Sequence, residues 1–222
     1  MANLRSIPIH PGDHLFVLTG AGISAESGIK TFRDAGGLWE NHSVEEVASP
    51  GGFRRDPVLV WRFYSQRRAQ ARSVEPNPAH YALAQLETAL GSRLFLCTQN
   101  VDPLHSRAGS TRVVAMHGEL AKSRFDEPGS EPFEDDNVYL RLEDIPRSPR
   151  GALLRPHICW FGEMPFHLDA IEAALDACTV FVTVGSSGAV YPAAGFVAAV
   201  RERGRRTGRA VRRVYVGPEA PD

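Results

Sequence analysis

The stretch "HLFVLTGAGISAESG" (His14–Gly28) decides the fold, because it joins an apolar run of strand length to a Gly-rich turn and then to a segment able to start a helix. That order is one βα unit. The same order recurs: "RLFLCTQN" (Arg93–Asn100) and "RVVAMHG" (Arg112–Gly118) read as buried strands, and "TVFVTVGSSG" (Thr179–Gly188) as a strand entering another glycine turn. Between them, "PVLVWRFYSQRRAQAR" (Pro57–Arg72), "NPAHYALAQLETALG" (Asn77–Gly91) and "AIEAALDA" (Ala170–Ala177) have helical spacing. In the second, Asn77 is the N-cap, Pro78 the first helical residue and Gly91 the stop. Alternating strands and helices predict an α/β protein with a doubly wound parallel sheet, whose ligands sit at the carboxyl ends of the strands. The polar clusters after Leu18, Cys97, Met116 and Val184 all fall at such ends.

A chain of 222 residues can build one sizeable core carrying a smaller insertion. With 43% apolar and 23% charged residues it is neither disordered nor fibrous, and a net charge of −1 gives no global attraction to nucleic acid or to an anionic membrane. No stretch approaches the roughly 18 consecutive apolar residues of a membrane span, and "MANLRSIPIHPGDHLFVLTG" lacks the order of a signal sequence. A cytoplasmic monomer that binds neither nucleic acid nor membrane is expected. Cys97, Cys159 and Cys178 are odd in number and far apart, so they read as small buried hydrophobes rather than as disulfides or a metal knuckle. The basic run "RERGRRTGRAVRR" (Arg201–Arg213) reads as solvated helix-end and loop arginines. One segment, Glu119–Gly151, breaks the alternation by being acidic, Pro-rich and weakly patterned. The expected plan is a Rossmann-like domain of residues 1–118 and 152–222, with the insertion 119–151 forming part of a small lobe.

Gly20, Gly22 and Ala25 fit the G-x-G-x-x-A form of a dinucleotide loop, where glycines let backbone amides approach a pyrophosphate. The acidic ribose reader expected about 20 residues on is missing from a strand end, since Glu40 has the spacing without the strand. The longer string "GAGISAESGIKTFRDAGGLW", together with "TQNVDPLHSRAG", "MHGEL", "RPHICWFGE" and "VGSSGAVYPAAGF", resembles the sirtuin family of NAD-dependent protein-lysine deacylases, over about Leu15 to Phe196. By that resemblance Gly20, Ala21, Gly22, Ser24, Glu26, Phe32, Arg33 and Trp39 belong to the NAD loop, and Gly185, Ser186 and Ser187 hold the far side of the dinucleotide. Gln99, Asn100 and Asp102 line the nicotinamide and ribose pocket, and His117 is the catalytic base. Phe161 and Gly162 are implied to contact the substrate, an acyl-lysine protein or peptide.

The chemistry of these residue types agrees. Asn100 and Asp102 suit a carboxamide leaving group, and a histidine with an unperturbed pKa near 6.5 can take a proton from a ribose hydroxyl at neutral pH. In "FYSQRR" (Phe63–Arg68), Tyr64 and Arg67 are i,i+3 neighbours on one helix face. A solvated face is the plain reading. In the sirtuin subgroup that removes short acidic acyl groups, however, a Tyr-x-x-Arg pair binds the acyl carboxylate and an alanine widens the pocket, and Tyr64, Arg67 and Ala48 match those positions. Arginine can grip a carboxylate with two donors and the phenol adds a third.

Two departures stand out. Family members usually carry a zinc ribbon of paired cysteines, whereas Glu119–Leu154 contains no cysteine, so no zinc is expected, and the small lobe is expected either to be looser or to be rebuilt by the acidic insertion. Where the family tends to place an asparagine after the late strand, "VYVGPEAPD" offers Gly217, which implies weaker adenine binding. Besides a desuccinylase, demalonylase or deacetylase, the same motifs suit an NAD-dependent ADP-ribosyltransferase or NAD glycohydrolase, or a non-catalytic NAD-responsive module.

Overall fold

The computed structural model describes residues 7–29, 42–186 and 191–217. Strand β1 (Leu15–Thr19) is buried along its whole length, as its unbroken apolar run requires of a strand with neighbours on both sides. It pairs in parallel with β2 (Leu94–Thr98) and with β7 (Val180–Val184). Adding β3 (Val113–Ala115) and β8 (Arg212–Val216) gives a five-stranded parallel sheet in the order β3-β2-β1-β7-β8. The expected buried strand around Val113 is only half-buried, because it lies at the sheet edge.

Helices cover both faces. Leu83, with Leu86 and Leu90 of α5 (Pro78–Leu90), packs on Leu15, Val17 and Leu96. Ile171 and Leu175 of α7 (Leu168–Ala177) and Phe196 and Val200 of α8 (Ala193–Thr207) cover Phe16, Leu18 and Phe181 on the other face. The Asn77 side chain accepts from the Ala79 amide, Pro78 opens α5 and Gly91 ends it at φ +58, so the local cap signals are met. Among the described residues no helix is long and apolar enough to cross a membrane.

The smaller lobe centres on an antiparallel sheet in the order β5-β4-β6, built from β4 (Gly118–Phe125), β5 (Phe133–Glu134) and β6 (Leu154–Ile158). Two of these strands come almost wholly from the acidic insertion, while β6 lies beyond residue 151. Helices α2 (Val44–Val47), α3 (Pro50–Arg55) and α4 (Pro57–Ser73) join it, so that Val47, Phe53, Trp61 and Tyr64 share one core with Leu120, Leu154 and Trp160.

Buried Arg68 on α4 ties this lobe together. Its Nε donates to the Leu120 carbonyl at 2.6 Å, and its terminal nitrogens donate to the carbonyls of Asn137 and Lys122 and to Ser123 Oγ. Asp135 lies 3.5 Å away, both side chains being at most 2% exposed. The Asp135 carboxylate also accepts from Ser123 Oγ, from the amide and side chain of Asn137, and from the Tyr139 hydroxyl. Burial pushes its pKa up, but these donors and Arg68 outweigh that and hold it below the usual value.

Candidate active site

The chain leaves β1 toward β2 and β3 on one side and returns through β7 and β8 on the other. The strand order therefore reverses between β1 and β7, and doubly wound sheets hold ligands in the crevice at such a point. There the loops after both strands touch: the Gly20 amide donates to Val184 O (3.0 Å) and the Gly22 amide to Gly185 O (2.8 Å). A Cβ on Gly22 would lie 2.7 Å from Gly185 O, and Gly185 sits at φ +61, so glycine is needed on both sides. The helix opened by this loop, α1 (Gly22–Ala25), is a single turn. Ser24 points inward while Glu26 is exposed.

Residues after β2 complete a polar network. Asn100 Nδ2 donates to Gly20 O (3.2 Å) and to Ser24 Oγ (3.0 Å), and Ser24 Oγ donates to Asp102 Oδ2 (3.1 Å). Asp102 Oδ1 accepts from the Leu104 amide at the start of α6 (Leu104–Arg107). Burial pushes the Asp102 pKa up, and the Leu104 and Ser24 bonds and the Arg67 charge oppose the shift. Gln99 Nε2 reaches across to Ser186 Oγ at 2.8 Å, joining the loops after β2 and β7.

His117 follows β3, with its Nδ1 3.0 Å from the Gln99 carbonyl. A carbonyl only accepts, so Nδ1 carries the hydrogen and Nε2 keeps a lone pair. Burial lowers the pKa of His117, which keeps the ring neutral and able to take a proton. The next residue, Gly118, has φ +84 and packs against the His157 backbone, which lets the chain turn straight from the histidine into the small lobe.

Tyr64 and Arg67 do not lie on a solvated face: they are 0% and 7% exposed. The charge of Arg67 acts on both Tyr64 and Asp102. Tyr64 Oη accepts from Trp160 Nε1 at 3.0 Å. Ala48 is buried at the end of α2, and its carbonyl accepts from the Phe161 amide, while Phe161 and Gly162 lie exposed on the rim. The fold thus brings together Gly20, Ala21, Gly22, Ser24, Gln99, Asn100, Asp102, Gly185 and Ser186 around the crevice, with His117 beside Gln99. Phe32, Arg33, Trp39 and Ser187 lie outside the described residues.

Sequence reasoning missed the groups that hold the lobe side of the site. Trp160 is fully enclosed, with the Arg155 guanidinium 3.4 Å from its ring centre, and Arg155 forks onto Glu163 at 2.6 and 2.9 Å. Arg68 was also missed, although Trp61, Tyr64 and Arg68 share helical spacing and a stripe of that kind is a burial signal.

Residues 20–192 match the family described as the Sir2 family. A protein of Pasteurella multocida named NAD-dependent protein deacylase is 53% identical over 191 residues, covering 82% of this chain and 79% of its own. One of the same name from Escherichia coli K12 is 53% identical over 196 residues, covering 87% and 70%. Among solved structures, a Sir2 homolog–NAD complex superposes with a TM-score of 0.80 at 39% identity, over 94% of this chain and 79% of that one. Sir2 bound to an acetylated peptide does so at 0.74 and 28%, over 94% and 82%.

Proposed function

This chain belongs to the Sir2 family of NAD-dependent protein deacylases, and from that premise we propose that it removes short acidic acyl groups, succinyl and malonyl ahead of acetyl, from protein lysines. The observation that carries the acyl preference is the burial of a cation and a phenol, Arg67 and Tyr64, as i,i+3 neighbours on α4, with the phenol inside the apolar cluster of the lobe. A buried guanidinium and hydroxyl favour a ligand with an anionic end, because desolvation strengthens charge-assisted hydrogen bonds.

The residues present fit NAD. The glycine loops meet backbone to backbone at Gly22 and Gly185 at the sheet's switch point, and Gln99, Ser186 and Asn100 supply polar side chains beside them. NAD, on losing nicotinamide, supplies an electron-poor ribose carbon to the acyl oxygen. In this reading Asn100 and Asp102 hold the carboxamide of the leaving group, with Ser24 fixing both. His117 Nε2 takes a proton from a ribose hydroxyl, helped by its neutral ring. Arg67 and Tyr64 grip the distal carboxylate, and Phe161 and Gly162 form the rim along which the peptide lies. The products are nicotinamide, O-acyl-ADP-ribose and free lysine, and the protein works as a cytoplasmic monomer without nucleic acid.

Mass spectrometry of NAD with succinyl-, malonyl- and acetyl-lysine peptides tests this. Catalytic efficiency on the succinyl peptide should exceed that on the acetyl peptide by about 10–1,000-fold, and Arg67→Met should remove most of that ratio. Equal losses on both peptides would refute the acyl preference, and a mass of ADP-ribosylated peptide would refute the deacylation chemistry.

A further inference from the structure

We infer that Trp160 is a positioning residue for the acyl pocket: its indole N–H occupies the Tyr64 oxygen and so leaves the phenol proton to donate to the acyl carboxylate. This rests on the reading of Tyr64 and Arg67 as carboxylate ligands.

Trp160 is 2% exposed and Tyr64 0%, with Nε1 and Oη 3.0 Å apart. An indole N–H can only donate, so the Tyr64 oxygen is the acceptor in this bond. The phenol's own proton meets no acceptor among the described residues. A buried donor left unmade is unfavourable, so this proton awaits a partner that the described residues do not supply. Burial also pushes the Tyr64 pKa up, so the proton stays in place at neutral pH.

Trp160 in turn is locked. Arg155 stacks on its ring at 3.4 Å, Phe53 lies 5.3 Å from it, and its backbone amide donates to Glu163 Oε2 at 2.8 Å. Arg155 and Glu163 are themselves joined by two hydrogen bonds, which hold the guanidinium in place against the indole face. The neighbouring Phe161 amide binds Ala48 O. One loop therefore sets both the rim of the cleft and the direction of the Tyr64 proton.

Trp160→Phe keeps an aromatic ring under Arg155 and deletes the donor. With saturating NAD, the ratio of KM for a succinyl-lysine peptide to KM for an acetyl-lysine peptide should rise about 3–10-fold, as expected for one neutral hydrogen bond. In a Tyr64→Phe background the same change should add no further shift in that ratio, because the two side chains act through one bond. An unchanged ratio, or full additivity, would overturn the inference. Should Trp160→Phe not fold, the wild-type protein with ¹⁵N-labelled tryptophan decides. The indole resonance that shifts in Tyr64→Phe should move on adding the succinyl peptide and not the acetyl peptide, because a phenol donating to an anion becomes a stronger acceptor. Equal movement with both peptides would refute it. If Tyr64→Phe and Arg67→Met leave the ratio alone, the carboxylate reading fails and this inference with it. If they alter it and Trp160→Phe does not, only the role of Trp160 falls.

Discussion

Replacing Arg68 with methionine should unfold this protein far more readily than a single surface arginine would. The side chain gives up its bonds to three carbonyls (Leu120, Asn137 and Lys122), its bond to Ser123 Oγ and its pairing with Asp135. Methionine restores much of the aliphatic stem, so little cavity forms, and the loss is mainly electrostatic. Removing one partner of a buried pair destabilises by about 3–5 kcal/mol, since the other charge stays uncompensated. Asp135 softens this through its bonds to Ser123, Asn137 and Tyr139, so the lower part of that range is expected. At about 2–4 °C per kcal/mol for a chain of this size, the Tm should fall by roughly 6–15 °C. Urea unfolding followed by far-ultraviolet circular dichroism and by tryptophan fluorescence measures it, the latter weighted to the lobe through Trp61 and Trp160. Asp135→Leu should destabilise comparably, yet the double variant Arg68→Met/Asp135→Leu should recover part of the summed loss because no lone charge remains. A loss below about 1 kcal/mol for Arg68→Met, or strict additivity in the double variant, would refute the view that this pair holds the lobe.

His117→Ala should abolish deacylation while NAD affinity, measured by calorimetry, stays within a few-fold, and near-normal turnover would remove His117 from the chemistry. Because burial lowers the His117 pKa, the acid limb of kcat/KM should lie below 6.5, and a limb above that value would contradict a neutral buried base. Stability should also depend on pH through His80 and His105. Burial lowers both from 6.5 to about 4, and His80 Nδ1 accepts from the Asn77 amide while His105 Nε2 bonds Thr19 Oγ1. The unfolded chain therefore binds more protons between these values, so stability is complete above about 6.5 and is lost as pH falls toward 4, by up to about 1.4 kcal/mol per pH unit for each ring. Urea midpoints that stay flat from pH 7 to 5 would oppose this. Chelators should leave Tm and turnover unchanged, since Glu119–Leu154 offers no thiolate, and one tightly bound zinc per chain by elemental analysis would overturn that expectation.

What could be read from the sequence is what short-range chemistry dictates. The run Leu15–Thr19 followed by Gly20 and Gly22 specifies a buried strand and a tight loop from neighbouring residues alone. Asn77, Pro78 and Gly91 bracket α5 by the same logic, because caps act over one helical turn. The crevice residues were legible because each follows a strand directly, and parallel strands deliver their ends to one edge. The small lobe was not. Strand β4 shows no regular alternation of burial, and its partner β6 lies past the whole acidic insertion, so nothing local announces the pairing. The fate of "FYSQRR" was likewise decided at a distance. Arg68 is buried because carbonyls 52 to 69 residues away converge on it, and Tyr64 is aimed by an indole 96 residues on. Helical spacing tells which side chains share a face, but whether a charged face meets water or an interior depends on partners that only the folded chain brings near.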